Sequence, residues 1–472
     1  MTLRTCALAF TLFSILSSAH AADFTPCSDA ATDPALAGSR CAIEIVAANP
    51  SGPAGARGEV ALFVRMLPAL GTRRGSVWLV AGGPGESGAA FYGLLPNLRD
   101  TFPGFDLVIP DHRGTGASTR MCAPEEAVAS PGGTSLAGAE WGSCFASLNA
   151  NPATTRQFSQ TNAAYDLQTL LARAPHAGKT FVYGVSYGTQ LVLRTVALGT
   201  PGIDGIILDS LVPLQDDASA DLSRRSLLVD AVGRRILAGC DASPRCSRAM
   251  GEPTEQLYRK LLARAATEPQ LFDTVPGKNP KRFFGSLLDM PDAAVQIPYL
   301  IKELDTGGAT RMQAVIASVQ QEMAGFGTFA QSAPSLPLVI LISGSENNLQ
   351  PGRTAPQVAS EEAGLLFASP LPGYLVDPPF PLYAHDAWFA RLPAQLPPTL
   401  VIHGTQDAKT PYEAALRHIA ALRRAGKVKL FTATGGAHFL LWSDKSCARA
   451  EVRSFVLGAA ATTQCVSVNF SH

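Results

Sequence analysis

The 472-residue sequence has few charged residues and no net charge. Asp, Glu, Lys and Arg together make up 16% of it, and 38 basic side chains balance 38 acidic ones. A nucleic-acid partner would require a basic patch, so this balance argues against such a partner. The length predicts two or three units, or one large α/β domain with insertions, and the 46% hydrophobic fraction can supply a large core.

Long apolar runs are scarce, and the one that approaches membrane character lies near the N-terminus. Arg4 precedes the mostly apolar stretch Cys6–Leu16, and Ser18–Ala21 supplies an A-x-A cleavage site. A transmembrane helix needs about 20 apolar residues, so this run is too short to span a bilayer. The pattern predicts a signal peptide over residues 1–21, with an N-terminal anchor as the alternative. We therefore expect an exported protein, periplasmic or secreted, whose mature form has no membrane partner.

Cysteines are few, and none lies in a C-x-x-C motif or a His/Cys cluster, so we expect no metal site. Cys6 falls within the predicted signal peptide, which leaves eight cysteines. An oxidising compartment favours structural disulfides among them. Their order along the chain favours four local pairs: Cys27–Cys41, Cys122–Cys144, Cys240–Cys246 and Cys447–Cys465.

Short apolar strands alternate with helical segments in the first and last parts of the chain. Two lead-in segments, Ala42–Ala48 and Glu59–Met66, are predicted to pair as antiparallel strands. The later predicted strands include Ser76–Ala81, Phe105–Ile109, Asp204–Leu208, Thr399–His403 and Val428–Thr432. Such wholly apolar strands are typical of a mostly parallel sheet with helices on both faces. Ligands of such α/β folds bind beyond the C-terminal ends of the strands.

The pattern changes between residues 212 and 397. Apolar residues there recur at helical spacing, prolines separate the later pieces, and strand–helix alternation is not evident. This predicts a mainly helical insertion, or cap, over residues 212–397. The core is then formed by residues 22–211 and 398–472.

The stretch Gly184–Gly188 reads GVSYG and joins a predicted strand to a predicted helix. A G-x-S-x-G pattern in this position places the serine on a strained turn with its hydroxyl exposed. The glycines avoid collisions between strand and helix in so tight a turn. The sequence therefore predicts Ser186 as a nucleophile, whereas the alternative is a serine in an ordinary strand-to-helix turn.

A serine hydroxyl is a weak nucleophile and needs a base that is oriented by an acid. In this type of fold the three residues follow the order serine, acid, histidine. Asp407 follows the strand at Thr399–His403, and His438 follows the next strand. Asp407 could instead cap the following helix, and Asp209 is the competing acid. The order along the chain favours Ser186, Asp407 and His438 as a catalytic triad.

An oxyanion intermediate needs at least two hydrogen-bond donors. Tyr187 opens the helix after Ser186, so its N–H is the expected first donor. The glycine-rich loop Gly82–Gly85 is expected to supply the second, because glycines let the backbone approach a substrate closely. A phosphate-binding loop is the alternative, but the spacing fits neither a P-loop nor G-x-G-x-x-G, and we expect no cofactor.

Five ordered motifs resemble the α/β-hydrolase fold, in its proline iminopeptidase and tripeptidyl aminopeptidase branch. They are GGPGESG, DHRGTGAS, GVSYGTQ, HGTQDAKTP and a late GAH, and they span nearly all of the mature chain. The resemblance implies an oxyanion donor at Gly83. Cys447 and Cys465 also resemble a late cysteine pair of that family, whereas Asp111 and Arg113 are expected to brace loops.

The resemblance also implies a function. That family mostly releases residues or short peptides from free N-termini, and a carboxylate in its helical cap receives the substrate's α-ammonium group. The stretch LVILISGSENN implies Glu346 as this anchor, and Glu86, beside the oxyanion loop, is a second candidate. Two departures bear on the substrate: Gly436–Phe439 replaces the usual G-H-G, and Gly344–Ser345 replaces an expected cysteine. We expect an exported serine aminopeptidase acting on small peptides, with a carboxylesterase or other small-molecule acyl hydrolase, and an inactive binding module, as alternatives.

Overall fold

A nine-stranded sheet runs through the part of the protein that the structure describes. The structure is a computed structural model that describes residues 23–52, 58–173, 177–199, 202–327, 329–444 and 446–460. The predicted signal peptide, residues 1–21, and Cys465 lie outside these described residues.

The sheet is mostly parallel and has an antiparallel edge. Its strands are β1 (Thr25–Pro26), β2 (Arg40–Ala47), β3 (Glu59–Leu67), β4 (Gly75–Val80), β5 (Phe105–Pro110), β6 (Lys179–Val185), β7 (Gly205–Asp209), β8 (Thr399–Gly404) and β9 (Val428–Ala433). Their spatial order is β1-β2-β3-β5-β4-β6-β7-β8-β9. The pairs up to β3–β5 are antiparallel, and the remaining pairs are parallel. The predicted antiparallel pairing of the two lead-in strands is confirmed.

Both faces of the parallel strands are buried because apolar residues alternate between two cores. In β4, Val77 and Leu79 enter one core, whereas Trp78 and Val80 enter the other. The α/β fold class predicted from the apolar strands is thus present.

Helices cover both faces of the sheet. The helices of the core are α1 (Leu95–Thr101), α2 (Glu140–Ala150), α3 (Ala153–Gln157), α4 (Gln160–Arg173), α5 (Tyr187–Leu198), α16 (Tyr412–Leu422), α17 (Leu440–Ser443) and α18 (Cys447–Leu457). The core that contains Trp78 also contains residues of α4, α5 and α16. The core that contains Val77, on the other face, contains residues of α1, α17 and α18. The sequence predicts a helical stretch from about Ser87 to Leu98, whereas Gly88–Leu94 forms a 3₁₀ helix and α1 begins only at Leu95. There the Gly88 N–H bonds the Asp111 carboxylate, which fixes the chain in a tighter turn.

The predicted insertion, residues 212–397, contains helices and no strand among its described residues. Its helices are α6 (Arg225–Ala242), α7 (Pro244–Met250), α8 (Thr254–Arg264), α9 (Pro280–Leu287), α10 (Pro291–Ala294), α11 (Ile297–Asp305), α12 (Thr310–Ala324), α13 (Leu336–Glu346), α14 (Ala355–Ala363) and α15 (Leu371–Tyr374). Most of them pack around a third hydrophobic core that includes Val232, Tyr258, Phe284 and Leu300. Within the described ranges, none of the helices combines the length and the apolarity that crossing a membrane requires.

Three predicted disulfides are present. They join Cys27 to Cys41, Cys122 to Cys144 and Cys240 to Cys246, with Cα–Cα distances of 5.0, 5.4 and 5.2 Å. The fourth predicted pair, Cys447–Cys465, involves a residue outside the described ranges and stays a prediction.

The disulfides differ in the length of chain that they close, and this predicts unequal contributions to stability. Cys122–Cys144 spans 22 residues, whereas Cys240–Cys246 spans 6. The longer loop loses more entropy on closure, so the C122A/C144A double variant should lose about 3 kcal/mol of unfolding free energy and C240A/C246A about 2 kcal/mol. Denaturant unfolding of the oxidised proteins measures both values. A larger loss in C240A/C246A would contradict the loop-length argument.

Candidate active site

Ser186 occupies a strained turn between β6 and α5. Its backbone has φ 53° and ψ −127°, a conformation that a non-glycine residue adopts at a cost of about 1–3 kcal/mol. The flanking glycines have no room for a side chain. A Cβ on Gly184 would lie 2.6 Å from the carbonyl oxygen of Gly188, and one on Gly188 would lie 2.5 Å from that of Val80. The chain therefore presents the serine at the C-terminal end of β6, as the G-x-S-x-G pattern predicts.

His438 and Asp407 meet at the same edge of the sheet. The His438 Nδ1 lies 2.8 and 3.0 Å from the two carboxylate oxygens of Asp407. Asp407 also accepts hydrogen bonds from the N–H groups of Lys409 and Thr410. Burial alone would raise the pKa of Asp407, but His438 and these donors hold that pKa well below its ordinary value. Asp407 is thus an ionised carboxylate that orients the imidazole.

A second histidine, which the sequence analysis did not single out, supports the Asp407 loop. The fully buried His403 accepts the Leu211 N–H at Nδ1, 3.0 Å away, and its Nε2 lies 2.9 Å from the Thr410 carbonyl oxygen. Burial lowers the pKa of His403, so the ring is neutral and donates from Nε2. The only sequence signal for this role is its position at the end of the apolar strand TLVIH.

Asp209, the competing acid, holds two loops of the site together. Its backbone carbonyl accepts the Ser186 N–H at 3.0 Å. Its carboxylate accepts the N–H groups of Leu440 and Leu441, at 2.9 and 3.0 Å, and the Tyr183 hydroxyl at 2.7 Å. Burial raises the pKa of Asp209 to about 6 against the opposing effect of these donors. Asp209 bonds the chain just after His438 and makes no hydrogen bond to the His438 ring.

Two backbone N–H groups beside Ser186 are available to a ligand. Within the described part of the chain, the N–H groups of Gly83 and Tyr187 donate to no protein acceptor. Both residues line the same cavity as Ser186. Gly83 has φ +105°, and a Cβ there would lie 2.8 Å from the Gly85 and Glu86 nitrogens. This loop can approach an oxyanion closely only because the position is glycine.

The cavity at Ser186 lies between the strand ends and the insertion. Its walls come from the loops after β4, β6, β7 and β8 and from α6. The lining residues include Gly83, Ser186, Tyr187, Gln190, Gln215, Asp217, Asp221, Arg225, Asn347, Lys409 and Thr410.

The predicted amine anchor Glu346 is buried, and its carboxylate already has partners. It accepts hydrogen bonds from Gln215 Nε2 at 2.7 Å, the Tyr383 hydroxyl at 2.9 Å and Arg194 Nη2 at 3.2 Å. Only 3% of the residue is exposed. Its neighbour Asn347 lines the cavity, but Glu346 is not among the lining residues. The Arg194 charge therefore balances Glu346 behind the cavity wall.

The second candidate, Glu86, is exposed beside the nucleophile. A Cβ placed on Gly82 would lie 3.0 Å from Ser186 Cβ and 3.3 Å from Glu86 Oε2. The Glu86 carboxylate is thus within one side-chain length of Ser186. Among the described residues it forms no hydrogen bond and no ion pair within 4.0 Å.

Asp111 and Arg113 brace loops, as expected. The Asp111 carboxylate accepts hydrogen bonds from the Ser87 hydroxyl and the Gly88 N–H, at 2.9 and 2.7 Å. The Arg113 guanidinium donates two hydrogen bonds of 2.6 Å to Asp166. Both residues are buried. Asp111 holds the chain just after the glycine-rich loop, and Arg113 joins its own loop to α4.

The two buried acids are predicted to respond differently to replacement by asparagine. Asp407→Asn removes the negative charge that faces His438 Nδ1, so kcat on a p-nitrophenyl ester should fall by about 10⁴-fold. Asp209→Asn leaves a buried donor without an acceptor, so its main effect should be a loss of about 1–3 kcal/mol of unfolding free energy. Kinetics and thermal unfolding of both variants separate the roles. A 10⁴-fold loss in Asp209→Asn with unchanged unfolding would make Asp209 the orienting acid.

Comparison with known proteins identifies two matching families. The profile of the alpha/beta hydrolase fold matches residues 75–325, and that of TAP-like proteins matches residues 384–464. No curated protein matches the sequence significantly.

Similar solved structures include VinJ, at 12% identity over 89% of this chain and 99% of that one, with a TM-score of 0.39. A laboratory-evolved variant of potato epoxide hydrolase matches at 13% identity over 89% and 99%, with a TM-score of 0.37. A thermophilic esterase from Thermogutta terrifontis matches at 14% identity over 86% and 96%, with a TM-score of 0.37. At these TM-scores the likenesses carry no argument of their own. The first family match covers more than half of the 472 residues, and the chain belongs to the α/β hydrolase fold family.

Proposed function

We propose that the protein is a serine hydrolase in which Ser186 is the nucleophile, His438 the base and Asp407 the orienting acid. The observation that carries this proposal is the hydrogen bond of His438 Nδ1 to Asp407 at the strand edge where Ser186 occupies its strained turn. The bond commits Nδ1 as a donor and leaves Nε2 to accept a proton.

The reaction follows from this arrangement. His438 Nε2 takes the Ser186 hydroxyl proton as Oγ attacks the substrate carbonyl carbon, and the carbonyl oxygen becomes an oxyanion. The N–H groups of Gly83 and Tyr187 stabilise that charge, each by about 3–4 kcal/mol. His438 then protonates the leaving group as its bond to carbon breaks. Water, deprotonated by His438, next attacks the acyl carbon. As the bond from that carbon to Ser186 Oγ breaks, His438 returns the proton to Oγ, which releases the acid and restores both residues.

The substrate that we propose is a peptide with a free N-terminus, so that the enzyme is an aminopeptidase of the proline iminopeptidase or tripeptidyl aminopeptidase type. The match of residues 384–464 to TAP-like proteins supports this class. An α-ammonium group needs an unpaired carboxylate near the nucleophile, and Glu86 meets this condition better than Glu346, which Arg194 already neutralises. Glu346 then acts as a positioning residue, because its carboxylate holds Gln215 in the cavity wall.

The cellular location that we propose is outside the cytoplasm. The three disulfides suggest an extracellular environment, since such bonds persist in oxidising compartments. The signal-peptide pattern over residues 1–21 supports export to the periplasm or the medium.

Replacing the nucleophile should abolish catalysis. Ser186→Ala is expected to remove both turnover of a p-nitrophenyl ester and covalent labelling by a fluorophosphonate probe, because no alkoxide forms. Ser286→Ala is the matched control, since Ser286 lies on an exposed part of the insertion and its hydroxyl donates only to the Phe283 carbonyl. Labelling that survives in Ser186→Ala would place the nucleophile elsewhere.

The amine anchor predicts a selective effect of Glu86→Gln. This change removes the negative charge near Ser186, so kcat/KM for a free aminoacyl-arylamide should fall roughly tenfold to a hundredfold. Turnover of the N-blocked arylamide and of a p-nitrophenyl ester should change little. Glu59→Gln, at the exposed start of β3, serves as the control.

The same assay separates an aminopeptidase from a carboxylesterase, and Glu86 from Glu346 as the anchor. Equal turnover of free and N-blocked arylamides by the wild-type protein would exclude an amine anchor and favour a carboxylesterase. A selective loss in Glu346→Gln, with Glu86→Gln unaffected, would return the anchor to Glu346.

A further inference from the structure

Arg225 is a cation in the cavity wall that has no hydrogen-bond or close ion-pair partner among the described residues. It is the first residue of α6 and lines the same cavity as Ser186. Its side chain is partly buried, and among the described residues it makes no hydrogen bond and no ion pair within 4.0 Å. The proposed reaction does not use it.

The position of Arg225 does not favour a positive charge. Backbone N–H groups at a helix N-terminus carry partial positive charge, which repels a cation, and the first turn of α6 contains no acidic residue. Burial lowers the pKa of Arg225 to about 10, although Asp407 and Asp289 oppose this at longer range. Arginine at this site is therefore not explained by stabilisation of the fold.

The acidic residues that line the cavity are already satisfied by neighbours other than Arg225. The Asp221 carboxylate accepts the N–H groups of Ser223 and Leu349, at 3.0 and 3.1 Å. Asp217 pairs with Arg417 at 2.7 Å.

The other lining cation, Lys409, is also paired. Its Nζ lies 2.9 Å from the Asp289 carboxylate, and its charge interacts with Glu86 at longer range. The unpaired charge on the described lining is therefore the Arg225 guanidinium.

We propose that Arg225 binds a carboxylate of the substrate on the leaving-group side of the cleaved bond. A guanidinium presents two parallel donors that match the two oxygens of a carboxylate. This inference rests on the proposed aminopeptidase function, in which Glu86 holds the α-ammonium group beside Ser186. Arg225, on the insertion, then recognises the opposite end of the molecule. The substrate class is a short peptide with both termini free.

The test compares alanine peptides of two to four residues, each with a free or an amidated C-terminus. Wild-type protein should cleave the free acid of the best length with the higher kcat/KM. Arg225→Gln should lower kcat/KM for that acid roughly tenfold to a hundredfold, mainly through KM, and leave the amide nearly unchanged. Arg225→Lys should retain part of the preference, because a single ammonium keeps the charge but not the paired donors.

Arg224→Gln is the matched control, because the exposed Arg224 pairs with Glu361 at 2.9 Å and does not line the cavity. It should keep the preference for the free acid. Thermal unfolding should show that Arg225→Gln is at least as stable as the wild type, because the substitution removes a positive charge from the N-terminus of α6. Equal losses of kcat/KM for acid and amide would overturn the proposal.

An ester pair separates this inference from the proposed function. 4-Acetoxybenzoate and 4-acetoxybenzamide differ in leaving-group charge and need no amine anchor. If the wild type cleaves neither these alanine peptides nor peptides with N-terminal proline, the aminopeptidase function fails. A preference for 4-acetoxybenzoate that Arg225→Gln abolishes would still support the carboxylate site. If the wild type cleaves both esters equally well, the carboxylate site is overturned.

Discussion

The buried residue Asp209 is the constraint on which the geometry of the site depends. Its carbonyl fixes the turn of Ser186, and its carboxylate fixes the start of α17, just after His438. A carboxylate without solvent is costly unless donors surround it, and here two N–H groups and the Tyr183 hydroxyl do so. Because one residue holds both loops, the serine and the histidine keep a fixed relation. The acid that bonds the imidazole, Asp407, is supported separately by His403 and its own loop.

Much of the core could be predicted from the sequence because local patterns determine it. A run such as TLVIH is apolar on both faces and fits only a buried strand, and β8 lies at Thr399–Gly404. The strained turn at Ser186 could be recognised from the sequence because side chains at positions 184 and 188 would collide with the neighbouring strand and helix, so both positions require glycine. The 3₁₀ segment Gly88–Leu94 could not be predicted because Asp111, which follows β5 and lies 23 residues further along the chain than Gly88, bonds it.

The identity of the unpaired charges could not be predicted from the sequence. Glu346 resembles an anchor by its local context, but its partners Arg194 and Tyr383 are 152 and 37 residues away along the chain. The sequence also cannot show which of the adjacent residues Arg224 and Arg225 is paired. Only the fold shows that Arg224 pairs with Glu361. Whether a charge is satisfied depends on tertiary contacts, whereas strands and turns depend on the chain nearby.

The Arg194–Glu346 pair also links the insertion to the core. Arg194 lies on α5, the helix that begins at the nucleophile, and Glu346 ends α13 of the insertion; neither side chain is more than 3% exposed. Across the cavity, Lys409 of the core pairs with Asp289 of the insertion, but 48% of that lysine side chain is exposed. Salt screens the second contact far more than the first. At high ionic strength the insertion therefore keeps its link to α5, the helix that follows Ser186, while its link through Lys409 weakens.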